Sequence, residues 1–176
     1  MAGTSSRGNP SMADVVRSVV VLGLIILALW VVGRLVTVTP DEPTSSVDYA
    51  QAAQQVADAV PYAVLSPPQL PDGWRATSAR LTQGRWHLGV VTDDDEYVGL
   101  EQDQKSAATL VRQFAKGSKA AGQVDIAGSS WTERTASDGD VTYVRTEGEL
   151  TTLVTGSVGR AELKDYVASL AVVSPR

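Results

Sequence analysis

Cysteine is absent from this sequence. Without thiols there is no disulfide, no thiolate nucleophile, no Cys-bound iron–sulfur cluster, no Cys-type zinc site and no lipidated thiol anchor. Histidine occurs once, as His87, phenylalanine once, as Phe114, and asparagine once, as Asn9. One histidine leaves zinc short of its usual ligands, and any Ser–His–acid relay would have to be built on that single residue. No G-x-S-x-G elbow is present to raise a serine nucleophile. No G-x-x-x-x-G-K-[ST] loop and no strand-linked G-x-G-x-x-G turn is present to cradle phosphates. No cofactor and no metal are therefore expected.

Positive charge is scarce as well. Eleven Arg and four Lys stand against 20 acidic residues, a net charge of −5. Before Pro40 the only bases are Arg7, Arg17 and Arg34, and the only acid is Asp14. The remainder carries 12 bases and 19 acids. So acidic a domain repels phosphate backbones, and no basic stripe interleaved with aromatics offers bases a stacking platform. Nucleic acid is not an expected partner, and broad contact with anionic headgroups is disfavoured for the same reason.

What is present is globular composition: 176 residues, 43% hydrophobic and 20% charged, enough for one ordinary domain with a tail or an anchor. Abundant Ala, Val and Gly, with Arg favoured over Lys, suggest a GC-rich genome. Residues 18–33 contain nothing ionisable, and Arg17 and Arg34 flank them. That run alone rises about 24 Å as a helix, short of a hydrocarbon core about 30 Å thick. A helix over 15–38 spans it, with Arg17 and Arg34 snorkelling outward at the two ends and Trp30 near the outer interface. Arg7 and Arg17 precede the helix, whereas Asp41, Glu42 and Asp48 follow it. Positive-inside bias then predicts a cytoplasmic tail over 1–14 and a domain on the outer side. Signal cleavage is disfavoured because LVTVTP offers poor residues for the cut. A buried core helix is disfavoured because the run is apolar all round.

Residues 39–46, rich in proline and hydroxyls, predict an extended linker. The domain is expected over 47–172, with a tail over 173–176. Tyr49, Ala52, Ala53, Val56, Ala57 and Val60 fall at helical spacing, with Ser46 or Asp48 placed to cap them and Pro61 to stop them. Short extended backbone follows, then prolines that forbid helix and central strand, then a turn at Asp72-Gly73. Period-two alternation predicts strands over 75–83, 85–92 and 97–103. In the second, Trp86, Leu88 and Val90 share one face, and Arg85, His87 and Gly89 the other. Ala107, Leu110, Val111 and Phe114 mark a short helix closed by Gly117. Further strands are expected over 123–127, 130–135, 141–147 and 150–157, with Asp138-Gly139 as a hairpin turn. Leu163, Tyr166, Val167 and Leu170 mark a last helix. The expected fold is α+β, an antiparallel sheet of about six or seven strands with helices packed on one face, in two βββα units.

The candidate chemistry is sparse. Asp93, Asp94, Asp95 and Glu96 are oxygen ligands by type. An EF-hand loop begun at Asp93 would nevertheless need Gly where Val98 stands and Glu where Gln104 stands. A solvated hairpin turn is the simpler reading. Glu101 and Asp103 alternate on one strand face, as carboxylates on exposed sheets commonly do. With no saccharide groove to set them across, glycosidase chemistry is not indicated. His87 reads as a half-exposed strand residue. Trp74, Trp86 and Trp131 either anchor the core, or Trp74, Arg75 and Trp86 line a groove for an apolar, glycan or protein ligand. Arg75, Arg80 and Arg85 supply local positive charge or pair with Glu101 and Asp103. The candidate binding residues are Trp74, Arg75, Arg85, Trp86 and His87, and Arg17, Trp30 and Arg34 flank the membrane helix. No catalytic residue is assigned.

The segments YAVLSPPQLPDGWRATSARL, RWHLGVVTDDDEYVGLEQ, VDIAGSSWTER and LTTLVTGSVGRAELKDYVASL follow an Arg-flanked N-terminal helix in that order. From Asp14 to Leu170 this resembles the actinobacterial membrane-protein family called domain of unknown function 4245. The resemblance implies a single-pass envelope protein and carries over no catalytic or ligand residue. L-P-D-G-W is also similar to a turn in some envelope sensor and lipid-carrier folds. The expectation is a membrane-anchored, extracytoplasmic binding or protein-interaction module of the bacterial cell envelope rather than an enzyme. Its alternative is a carrier or sensor of an apolar lipid or glycan using Trp74 and Trp86. An envelope hydrolase with facing carboxylates stands third.

Overall fold

The computed structural model describes residues 16–17, 19–27 and 46–176. The chain divides into two units, Met1–Pro43 and Thr44–Arg176. In the first, residues 16–17 and 19–27 are helical, with Val19, Leu24 and Ile26 among their exposed side chains. The remainder of the expected membrane helix, including Trp30 and Arg34, lies outside the described residues. So do the tail over 1–14 and the linker as far as residue 45. Among the described residues no helix is long and apolar enough to cross a membrane.

The second unit runs α1 (Tyr49–Ala59), β1 (Val64–Ser66), β2 (Arg75–Thr82), β3 (Arg85–Val91), β4 (Tyr97–Asp103) and α2 (Ala107–Phe114). It continues with β5 (Lys119–Ile126), β6 (Ser129–Thr135), β7 (Val141–Glu147), β8 (Leu150–Gly156), α3 (Arg160–Ser169) and β9 (Ala171–Val173). Seven strands form one antiparallel sheet in the order β2-β3-β4-β8-β7-β6-β5, so the expected antiparallel α+β architecture is present. The local signals are the ones that shape it. Asp48 caps α1 by accepting from the Gln51 N–H at 2.9 Å, and Pro61 follows its end. Gln83 and Gly84 both take positive φ (52° and 79°), the left-handed pair that a two-residue hairpin needs to match strand twist.

The first face of the sheet presents Trp86, Leu88, Val90, Val98, Leu100, Tyr143 and Val154 to α1 and α3 in one buried cluster. The second face packs Val144 and Leu153 under Leu110 and Ala115, from α2 and the residue that caps it. Tyr143 and Val144 are neighbours on β7, as are Leu153 and Val154 on β8, so alternation sends them to opposite faces. The helices therefore cover both faces, which corrects the expectation of one. The cause lies in β7 and β8, mid-sheet strands with apolar residues at successive positions, which must be buried on both sides. The expected pair of βββα units is corrected too. The second set has four strands, β5–β8, and its helix lies on the opposite face from the first.

Residues 63–66 are stitched onto the first face by buried polar groups. Gln102, fully buried, accepts from the Leu65 N–H at 2.7 Å and donates to Ala63 O and Thr152 Oγ1. The Trp86 indole N–H donates to Leu65 O at 3.0 Å. β1 then pairs with β9 in a small antiparallel sheet of its own. The residues expected as a terminal tail are held: Val173 pairs with Val64, Ser174 O accepts from Gln54, and the Arg176 N–H donates to Asp58.

Candidate functional site

Where α2 ends, the second face of β2, β3 and β4 carries a chain of polar side chains. Its assembly depends on a bulge. Ala76 stands opposite Val90 and Ser78 opposite Gly89, so Thr77 is an extra residue in β2. Plain alternation from Ala76 would turn Ser78 toward the first face; the bulge re-aims it to the second. Arg80 then faces His87 across the β2–β3 pair, and His87 faces Glu101 across β3–β4.

Ser78 Oγ lies 2.8 Å from His87 Nε2, and His87 Nδ1 lies 2.6 Å from Glu101 Oε1. Arg85 Nε approaches Glu101 Oε2 at 3.1 Å, close enough for attraction but not aligned as a hydrogen bond. The Arg85 guanidinium sits 4.9 Å above the Phe114 ring at the end of α2. A carboxylate only accepts, so a neutral His87 must donate from Nδ1, and Nε2 is left to accept the Ser78 O–H. His87 is 6% exposed and Glu101 3%. The half-exposed strand histidine expected from sequence is therefore a buried one, because Glu101 and Ser78 satisfy both ring nitrogens. Glu101 and Asp103 are likewise buried rather than exposed, Asp103 paired with Lys105 at 3.0 Å.

Two glycines let this chain and Tyr97 pack directly against the backbone. A Cβ on Gly89 would sit 2.5 Å from Ser78 Oγ, 3.0 Å from the Tyr97 hydroxyl and 3.2 Å from His87 Nε2. A Cβ on Gly99 would meet the Tyr97 ring at 3.0 Å. Tyr97 thus lies across both glycines and brings its hydroxyl toward Ser78. Burial pushes its pKa up, the Glu101 charge adds to that, and Arg80 opposes it, so the phenol stays a neutral donor.

The other sequence candidates are dispersed. Trp74 stacks on Tyr166, ring centroids 5.8 Å apart, at the rim of the first face. Trp86 is fully buried, so the groove expected between Trp74 and Trp86 does not form; the core reading holds for Trp86 and for Trp131. Arg75 lies 3.6 Å from Asp95. The acidic turn closes with Asp95 at positive φ, and no cluster of metal-binding side chains occurs among the described residues. Of the five binding candidates only Arg85 and His87 meet. Sequence reasoning missed Ser78 and Tyr97. The two glycines offered a weak signal, since in strands they mark close approach.

A second feature is a cleft of 470 Å³ between α2 and the strands β6 and β7. Ala107, Val111 and Val144 line it, and Arg112, Lys116 and Arg134 surround it with positive charge. Arg134 is oriented by two bonds to Ser118, to its hydroxyl at 2.9 Å and its carbonyl at 2.6 Å.

No curated protein and no solved structure matches the chain. Residues 7–170, nearly the whole length, match the family described as protein of unknown function DUF4245, and the chain belongs to that family.

Proposed function

We propose that this is a binding module of the bacterial cell envelope, tethered through its N-terminal segment, that takes an anionic amphiphile in the cleft beside α2. One observation carries the reading: three cations gather around an apolar cleft in a domain whose net charge is strongly negative. Small apolar side chains on α2 and Val144 suit an acyl chain, and Arg112, Lys116 and Arg134 suit its carboxylate or phosphate. The volume lies in the range of small-molecule sites. The tether rests on the uncharged run over 18–33 and on the exposed apolar helix over 19–27.

A diazirine-bearing fatty acid added to the detergent-solubilised full chain tests the cleft. Crosslinks mapped to residues 107–117, lost in Arg112→Glu/Lys116→Glu, support it. Crosslinks that ignore this double change defeat it. For the tether, a C-terminal tag on intact spheroplasts should be open to added protease; a protected tag would reverse the orientation.

A further inference from the structure

We infer that Ser78 is a nucleophile for acyl transfer, with His87 as its general base and Glu101 positioning the imidazole, and that the site cleaves acyl esters. The evidence is the direction of the hydrogen-bond chain and the half-buried serine at its end. Glu101 takes the Nδ1 proton at 2.6 Å, which points the Nε2 lone pair at a serine hydroxyl 2.8 Å away. This is the order of roles that activates a serine: nucleophile, base, orienting acid. The three residues come from three neighbouring strands, so the rigid sheet fixes their geometry.

Gly89 lies directly beneath Ser78 Oγ, His87 Nε2 and the Tyr97 hydroxyl, and any side chain at that position would push the serine away from the imidazole. Ser78 itself is only half-buried, on a strand that is paired in the main sheet on one side alone. The Tyr97 phenol is a neutral donor beside the nucleophile, and Arg80 projects from the same face two residues along. Both are placed to receive negative charge that develops on an acyl oxygen.

The step balances with water alone. Ser78 Oγ bonds to the acyl carbon while its proton passes to His87 Nε2. The ester C–O bond breaks, and the departing alkoxide takes that proton from Nε2. Water then adds to the acyl carbon while giving a proton to His87 Nε2; the bond from that carbon to Ser78 Oγ breaks, Oγ takes the proton from Nε2, and the carboxylic acid leaves. None of Ser78, His87 and Glu101 lines the cleft beside α2, so this inference and the proposed binding reading stand or fall separately.

The test is a fluorophosphonate probe on the full chain in mild detergent, with the labelled residue identified by mass spectrometry. Labelling of the folded parent at Ser78, faster than at any other serine and faster than in heat-unfolded chain, is the expected result. Ser78→Ala should abolish it with an unchanged circular dichroism spectrum. His87→Gln and Glu101→Gln should each slow it by about 100-fold, the usual scale of a lost general base. No preferential label on Ser78 in the parent overturns the inference without any variant having to fold. An unchanged rate in a folded His87→Gln protein overturns the relay.

Discussion

The two faces of the sheet are made by the same strands and do different work. On β3, Trp86, Leu88 and Val90 point to the first face and are fully buried under α1, α3 and the β1–β9 ribbon. The alternating residues Arg85, His87 and Gly89 point to the second face, where α2 packs on Val144 and Leu153 of β7 and β8 and sets Phe114 against the Arg85 guanidinium. The first face is mostly apolar; of its polar groups, Gln102 and the Trp86 indole hold residues 63–66, and Glu133 pairs with Tyr143 and with Arg160 of α3. The second carries a buried hydrogen-bonded chain at one end and a cation-rimmed cleft at the other. Covering one face with apolar side chains secures the fold, which leaves the other able to hold a polar chain and a charged cleft.

That division predicts unequal mutational costs. Trp86→Ala should cost the most, about 3–5 kcal/mol in urea unfolding, because it opens a cavity and strips Leu65 O of its donor. A loss below about 1 kcal/mol would mean the first face does not carry the fold. Leu110→Ala, in the small cluster under α2, should cost less, about 2–3 kcal/mol, since fewer buried partners surround it.

Tyrosines sharpen the contrast under alkali. All five have raised pKa values with burial as the first cause, and Tyr166, wholly buried, is raised furthest. The unfolded chain loses these protons near pH 10 while the folded chain keeps them. Their stabilisation is thus complete below about pH 10 and falls as pH rises above it, by about 1.4 kcal/mol per pH unit for Tyr166. Unfolding titrations from pH 8 to 11 should show the decline. The Tyr166 hydroxyl has no hydrogen-bond partner among the described residues. Tyr166→Phe should therefore flatten the alkaline slope and leave neutral stability unchanged or raised by about 1 kcal/mol. A loss above about 1 kcal/mol would show that the hydroxyl has a partner. The smallest effect belongs to the cleft: Arg112→Glu/Lys116→Glu should change stability by no more than about 0.5 kcal/mol, because both side chains are exposed. A larger change would make this rim part of the fold rather than of a site.

Much of the second unit was legible in its sequence. Alternation in 85–92 gave both faces of β3, Asp48 and Pro61 bracketed α1, and Gln83-Gly84 marked its hairpin. Short elements were not. β1 and β9, of three residues each, are strands only because each completes the other, and β5 begins four residues before its expected start, in a stretch of small exposed side chains. The polar chain was half legible. His87 and Glu101 were noticed, yet Ser78 could not be assigned to their face, because no sequence rule located the bulge at Thr77.

By itself the sequence determined which chemistries were closed, through missing cysteines and a single histidine. It also determined the antiparallel α+β class, through periodicity, and membership in its family. These are properties of composition and local spacing. Tertiary structure alone decided that α2 crosses to the second face, that Trp86 is core while Trp74 is rim, and that Ser78, His87 and Glu101 form one chain. Each of those depends on register and on which surface remains uncovered once the strands pair, and pairing joins residues far apart in the chain.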